Sequence, residues 1–134
     1  PFGDIVAPAN NTMMSVVKDG RRRFEIVTET VKRVVRNQFA CESLEGARLE
    51  NQPSNIDDCY GSHWDERLFF SEVMGAVHES PYNILSPLTL ALMEDSGWYT
   101  ANYRAAQTSP FGHGAGCDFV NKKCIVQDEV PDYG

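Results

Sequence analysis

No run of about 18 apolar residues occurs anywhere in the sequence, so nothing in it is long enough to span a bilayer. The first residues also lack the charged-then-apolar plan of a signal peptide. Basic residues are scarce: twelve lysines and arginines face nineteen acids, for a net charge of −7. A nucleic-acid partner is excluded on that balance, because phosphate binding needs a basic surface that releases counterions. There is no GxSxG elbow, no phosphate loop, no HExxH and no histidine pair at i, i+4 among His63, His78 and His113. Taken singly, each histidine reads as a structural residue. The four cysteines, Cys41, Cys59, Cys117 and Cys124, form no CxxC, which argues against a zinc ribbon or a thioredoxin-type site. Disulfides are the remaining use; three complete pairings are open, and any of them implies a secretory compartment. Catalysis by a Cys–His pair would need the reduced thiol that disulfides remove.

What is present describes one ordinary globular unit. The chain of 134 residues fits one domain, and 42% hydrophobic with 23% charged residues is a globular composition. Charge is uneven, since the first 48 residues hold eight of the twelve basic residues but six of the nineteen acids. Arg21-Arg22-Arg23, flanked by Asp19 and Glu25, reads as a solvated turn with no role. Asn10-Asn11-Thr12 is a glycosylation sequon, with Asn10 as the acceptor, and supports secretion. Pro1 in place of Met suggests a processed or excised chain.

Along the chain, the first twenty residues read as loop with a short strand near Met13 to Val17, and Phe24 to Val27 alternate like a strand. Thr28 is placed to cap a helix running to about Ala40, with Val31, Val34, Val35 and Phe39 on one apolar stripe that faces the core. Residues 44–50 suit a short strand, and 51–62 are rich in turn formers. A second helix is marked by Ser86 as N-cap, Pro87 at its first position and Gly97 just past its end. The glycine-rich stretch from Ser109 to Cys117 reads as irregular.

Gly61-Ser62-His63-Trp64-Asp65-Glu66-Arg67-Leu68, followed by Glu72-Val73-Met74, resembles the third-zinc-ligand and Met-turn region of the leishmanolysin family of zinc metallopeptidases. The eleven positions from His63 to Met74 match as well. The similarity continues through Leu88 to Tyr99, Ala101-Asn102-Tyr103, and Pro110-Phe111-Gly112 to Gly116-Cys117 with Cys124. Upstream, Val31 to Cys41 resembles the family's helix that ends in a Cys. Coverage is about residues 24 to 125.

The resemblance implies an α+β fold: residues 1–134 form a single partial domain, the C-terminal subdomain of a metzincin-type catalytic domain, with short helices and disulfide-stapled loops. It implies a secreted or cell-surface zinc endopeptidase that cleaves peptide or protein substrates, with His63 as one zinc ligand and Met74 packing beneath the metal without binding it. Glu72 is weighed as a catalytic base and, in its place in the family's turn, is expected to make a structural hydrogen bond instead. Cys41 is expected to bond Cys117, while Cys59 and Cys124 either pair together or stay open. The family carries two more ligands and the general base in HExxH, which these 134 residues lack. The isolated chain is therefore expected to be inactive, its partner being the upstream part of the same catalytic domain. The competing expectation is a catalytically silent scaffold or binding module in an extracellular assembly, which a defective HExxH upstream would favour.

Overall fold

The computed structural model describes residues 11–18, 20–50, 61–76 and 83–132. Asn10, Cys59 and His78 lie outside the described residues.

Strand β1 (Met13–Lys18) folds back on β2 (Arg21–Ile26) as an antiparallel hairpin, with Lys18 opposite Arg21 and Gly20 in the tight connection at φ +73°. Glycine suits that turn because positive φ costs it nothing. The Arg21-Arg22-Arg23 run is thus strand, which corrects the turn expected from its charge. Cross-strand pairing overrides local polarity here, and the Arg23 side chain is only 16% exposed, beside Glu25. The short strand β3 (Ala47–Arg48) pairs antiparallel with β2, giving the sheet order β1-β2-β3. Gly46 precedes it, where a Cβ would fall on the Ile26 carbonyl.

Helix α1 (Glu29–Phe39) buries Val31, Val35 and Phe39 on one stripe, as the i, i+4 spacing requires. Thr28 occupies its N-cap position, but the expected hydroxyl cap is not made. A carboxylate from far along the chain does that work: Asp95 Oδ2 accepts from Thr30 N at 2.9 Å and Val31 N at 3.1 Å. Burial pushes the Asp95 carboxyl up, yet the hydrogen bonds it accepts at the start of α1 outweigh that and hold the pKa below its ordinary value.

After α1, Ala40 turns left-handed (φ 51°) and delivers Cys41 into the core, where it is disulfide-bonded to Cys117, 76 residues on. Helix α2 (Glu66–Phe69) is a single turn capped by Asp65, whose side chain accepts from Arg67 N. Helix α3 (Pro87–Asp95) starts as its sequence dictates, with Ser86 Oγ accepting from Leu88 N at 3.1 Å and Pro87 in the first turn, and it packs on α1. Helix α4 (Gly116–Asn121) begins inside the stretch read as irregular. Gly112, Gly114 and Gly116 all have positive φ, so the chain is tightly wound just before α4 starts. Arg67 gathers the last turn of α4, donating to Phe119 O (2.6 Å), Lys122 O (2.8 Å) and Val120 O (3.3 Å).

The core lies where α1, α3 and the sheet meet, and aromatic rings run through it. Phe39 stands 5.6 Å from Phe69, and Phe69 stands 6.0 Å from Trp64, in the tilted arrangements such pairs prefer. Among the described residues no helix is long and apolar enough to cross a membrane.

Candidate metal centre

The sheet continues past β3 as single rungs, and those rungs carry the site. Leu49 N donates to Phe24 O, which extends β3 by one residue along β2. Leu49 then bridges Trp64 antiparallel, and Trp64 bridges Gly75 in parallel, so the segment holding His63 lies between Leu49–Glu50 and Met74–Gly75. The rungs are Glu50 N to His63 O (3.0 Å), Asp65 N to Arg48 O (3.1 Å) and Trp64 N to Met74 O (2.9 Å). His63, eleven positions before Met74 in sequence, is thereby brought next to the Met74 turn through its neighbour Trp64, whose N–H bonds Met74 O.

Gly61 makes the approach possible. Its φ is +71°, and a Cβ there would come within 2.8 Å of Leu49 Cδ1. The glycine serves close packing and a left-handed backbone at this point rather than mobility. Trp64 is fully buried and anchors the loop, its indole Nε1 donating to Thr89 Oγ1 at 3.0 Å. The neighbouring Arg48–Asp65 pair, at 3.8 Å, is half-buried. Burial raises the Asp65 pKa against the pull of Arg48, and burial lowers that of Arg48, with Arg23 adding to the effect.

The imidazole of His63 is held at one nitrogen. Nδ1 lies 2.9 Å from Glu50 Oε1, and Ser62 Oγ sits 3.1 Å from both Nδ1 and that same oxygen. A carboxylate only accepts, so the ring nitrogen facing it carries a proton, which in the neutral form of the ring puts the lone pair on Nε2. No described residue hydrogen-bonds Nε2, and the side chain is 41% exposed. This is the donor arrangement of a metal-ligating imidazole backed by a carboxylate. It is one donor: among the described residues there is no group of three or more His, Cys, Asp and Glu able to hold a metal ion.

Beneath the His63 loop, Glu72 is 2% exposed and takes part in no ion pair among the described residues. Hydrogen bonds satisfy it instead. Oε2 accepts from Met74 N (2.7 Å), and Oε1 accepts from Thr89 Oγ1 (2.8 Å), Ser86 Oγ (2.7 Å) and Ser86 N (3.2 Å). Glu72 O also accepts from Gly75 N at 2.9 Å, which closes the turn around Met74. Thr89 links the network to the Trp64 indole. With both oxygens occupied by structural donors, this carboxylate is the turn's polar centre.

His113 lies apart from this site, its Nδ1 3.5 Å from Gln38 Oε1. Cys124 is a free, exposed thiol, with Arg67 Nε 3.2 Å away. Two of the residues that matter here escape sequence inspection. Glu50 stands 13 positions before His63 across a turn-rich segment, and Asp95 caps a helix 64 positions upstream.

A model of the leishmanolysin family matches residues 7–134. The leishmanolysin-like peptidase of Caenorhabditis elegans is 42% identical over 100 residues, a stretch that makes up 74% of this chain and 14% of that protein. The leishmanolysin-like peptidase of Drosophila melanogaster is 44% identical over 100 residues, with the same shares. The leishmanolysin of Leishmania chagasi is 33% identical over 103 residues, covering 77% of this chain and 16% of its own length. The matched stretch is thus a small part of each relative, and it takes in the His63 loop, the Met74 turn and the helices that support them. By the extent of this match the chain belongs to the leishmanolysin family, a family of metallopeptidases.

Proposed function

We propose that this chain forms part of a secreted or cell-surface zinc endopeptidase, as the C-terminal subdomain of a metzincin-type catalytic domain, and that His63 donates one zinc ligand through Nε2. The observation that carries the reading is the His63 ring itself: Nδ1 engaged by Glu50, Nε2 without a hydrogen bond among the described residues and the side chain 41% exposed, one rung from the Met74 turn. A zinc site for hydrolysis takes three protein ligands and an open position; His63 is one, and the other two and the general base are assigned to the family's HExxH, a motif absent from these 134 residues. Bound there, zinc would polarise water and the scissile carbonyl.

This chain's own residues have supporting tasks. Glu50 and Ser62 hold the imidazole proton at Nδ1, Trp64 fixes the depth of the loop, and Met74 offers soft apolar packing below the ring. Glu72 holds the Met74 backbone in its turn. The chain alone, supplying one imidazole to the site, is expected to be inactive. The Cys41–Cys117 bond supports an oxidising compartment, and Asn10 is the glycosylation candidate within it.

The test uses the full-length protein that contains these residues. His63→Ala is expected to lose stoichiometric zinc and to abolish peptide cleavage, as read by metal analysis and hydrolysis of a quenched fluorescent peptide. Full zinc content with unchanged turnover in that variant would overturn the assignment.

A further inference from the structure

We propose that Glu50 is the positioning residue of the metal centre, fixing both the tautomer and the direction of His63. The inference rests on the reading of His63 as a zinc ligand. An imidazole on a surface loop ordinarily samples both tautomers and several rotamers, and a metal has to select one of them at the cost of side-chain entropy. Glu50 removes that choice by gripping His63 at two points. Its backbone N–H donates to His63 O at 3.0 Å, and its Oε1 accepts from Nδ1 at 2.9 Å. Main chain and ring are therefore referenced to one residue.

That residue is itself anchored. Glu50 follows Leu49, which is buried and hydrogen-bonded through its N–H to β2 at Phe24 O, so the imidazole is tied to the sheet as well as to its own loop. The Ser62 hydroxyl donates to the same Oε1 at 3.1 Å and steadies the carboxylate. The Glu50 side chain is 24% exposed, so water competes only partly for the contact. Outer-shell partners of this kind typically tune metal affinity by 10- to 100-fold.

The experiment compares Glu50→Ala, Glu50→Gln and His63→Ala in the full-length protein. Zinc affinity is read by competition with a chromophoric chelator, and the cobalt-substituted protein is read by its visible absorption bands, which report ligand geometry. Glu50→Ala is expected to weaken zinc binding about 10- to 100-fold and to alter the cobalt bands. Glu50→Gln keeps an oxygen that can accept from Nδ1 and is expected to fall between wild type and Glu50→Ala. A merely structural residue would lower the melting temperature of the metal-free protein while leaving the cobalt bands of the folded fraction alone, and that pattern overturns the proposal. So does a Glu50→Gln variant as weak as Glu50→Ala, since an acceptor in place would then be doing nothing. If His63→Ala loses zinc while both Glu50 variants bind like wild type, the positioning role falls and the ligand stands. If His63→Ala keeps its zinc, both fall.

Discussion

The Met74 turn and the His63 loop are adjacent rungs of one irregular sheet, yet each treats a carboxylate in its own way. Glu72 is sealed inside, with four donors on its two oxygens, and nothing is left over for a ligand. Glu50 is partly open and uses its carboxylate to hold one ring nitrogen, leaving the other without a hydrogen bond among the described residues. The first arrangement is self-sufficient and builds stability. The second is incomplete as it stands and suits a partner that arrives later. The two carboxylates differ less in chemistry than in how many of their neighbours are already satisfied.

The sharpest break of this contrast is Glu72→Ala. It strands the Met74 and Ser86 amides and the Ser86 and Thr89 hydroxyls, each buried donor costing roughly 1–3 kcal/mol when left unpaired. A loss of at least about 3 kcal/mol is expected in urea unfolding, far above the effect of Glu50→Ala on the metal-free protein. Equal stability of the two variants would erase the distinction.

Gly61→Ala probes the other side. A left-handed backbone costs a residue with a Cβ roughly 1–2 kcal/mol, and the new methyl would also press on Leu49. Zinc affinity should fall along with stability, because Leu49 carries the neighbouring Glu50. Thermal unfolding and metal titration on one sample check both.

The smallest effect is expected at Asp95, remote from both carboxylates. Asp95→Ala should cost about 1 kcal/mol, the usual value of a lost helix cap, without touching zinc affinity. Its pH dependence has a definite sign. The folded pKa is depressed, so the stabilisation is present above the unfolded pKa and is lost as pH falls through the folded one. Wild type and Asp95→Asn should therefore converge in stability at strongly acid pH and separate towards neutrality.

Much of the scaffold around these residues is legible in the sequence. The Val31–Val35–Phe39 stripe and the Ser86–Pro87 start are local signals, and the structure has α1 at Glu29–Phe39 and α3 at Pro87–Asp95, close to the limits expected. Signals that depend on distant partners are not legible. The arginine run hides β2 because its strand character comes from pairing with β1 rather than from its own side chains. Thr28 looks like the cap of α1, while the carboxylate that reaches the first turn belongs to the far end of α3. At the site, the Gly-Ser-His loop and the Glu-x-Met turn can be recognised, but nothing near Glu50 announces that it faces His63. That pairing exists only once β3 is seated against β2.

The bond from Glu50 N–H to His63 O also bears on how such a chain can change over time. It holds together the two ends of whatever joins Glu50 to Gly61, a span of ten residues in this sequence. With both ends fixed by this bond, the place of the imidazole is set by Glu50 and the neighbouring rungs rather than by the number of residues in between. Insertions and deletions between these two residues can then accumulate in evolution without shifting the imidazole. The His63 site is insulated from length drift next to it, and relatives should vary in length there more freely than between His63 and Met74.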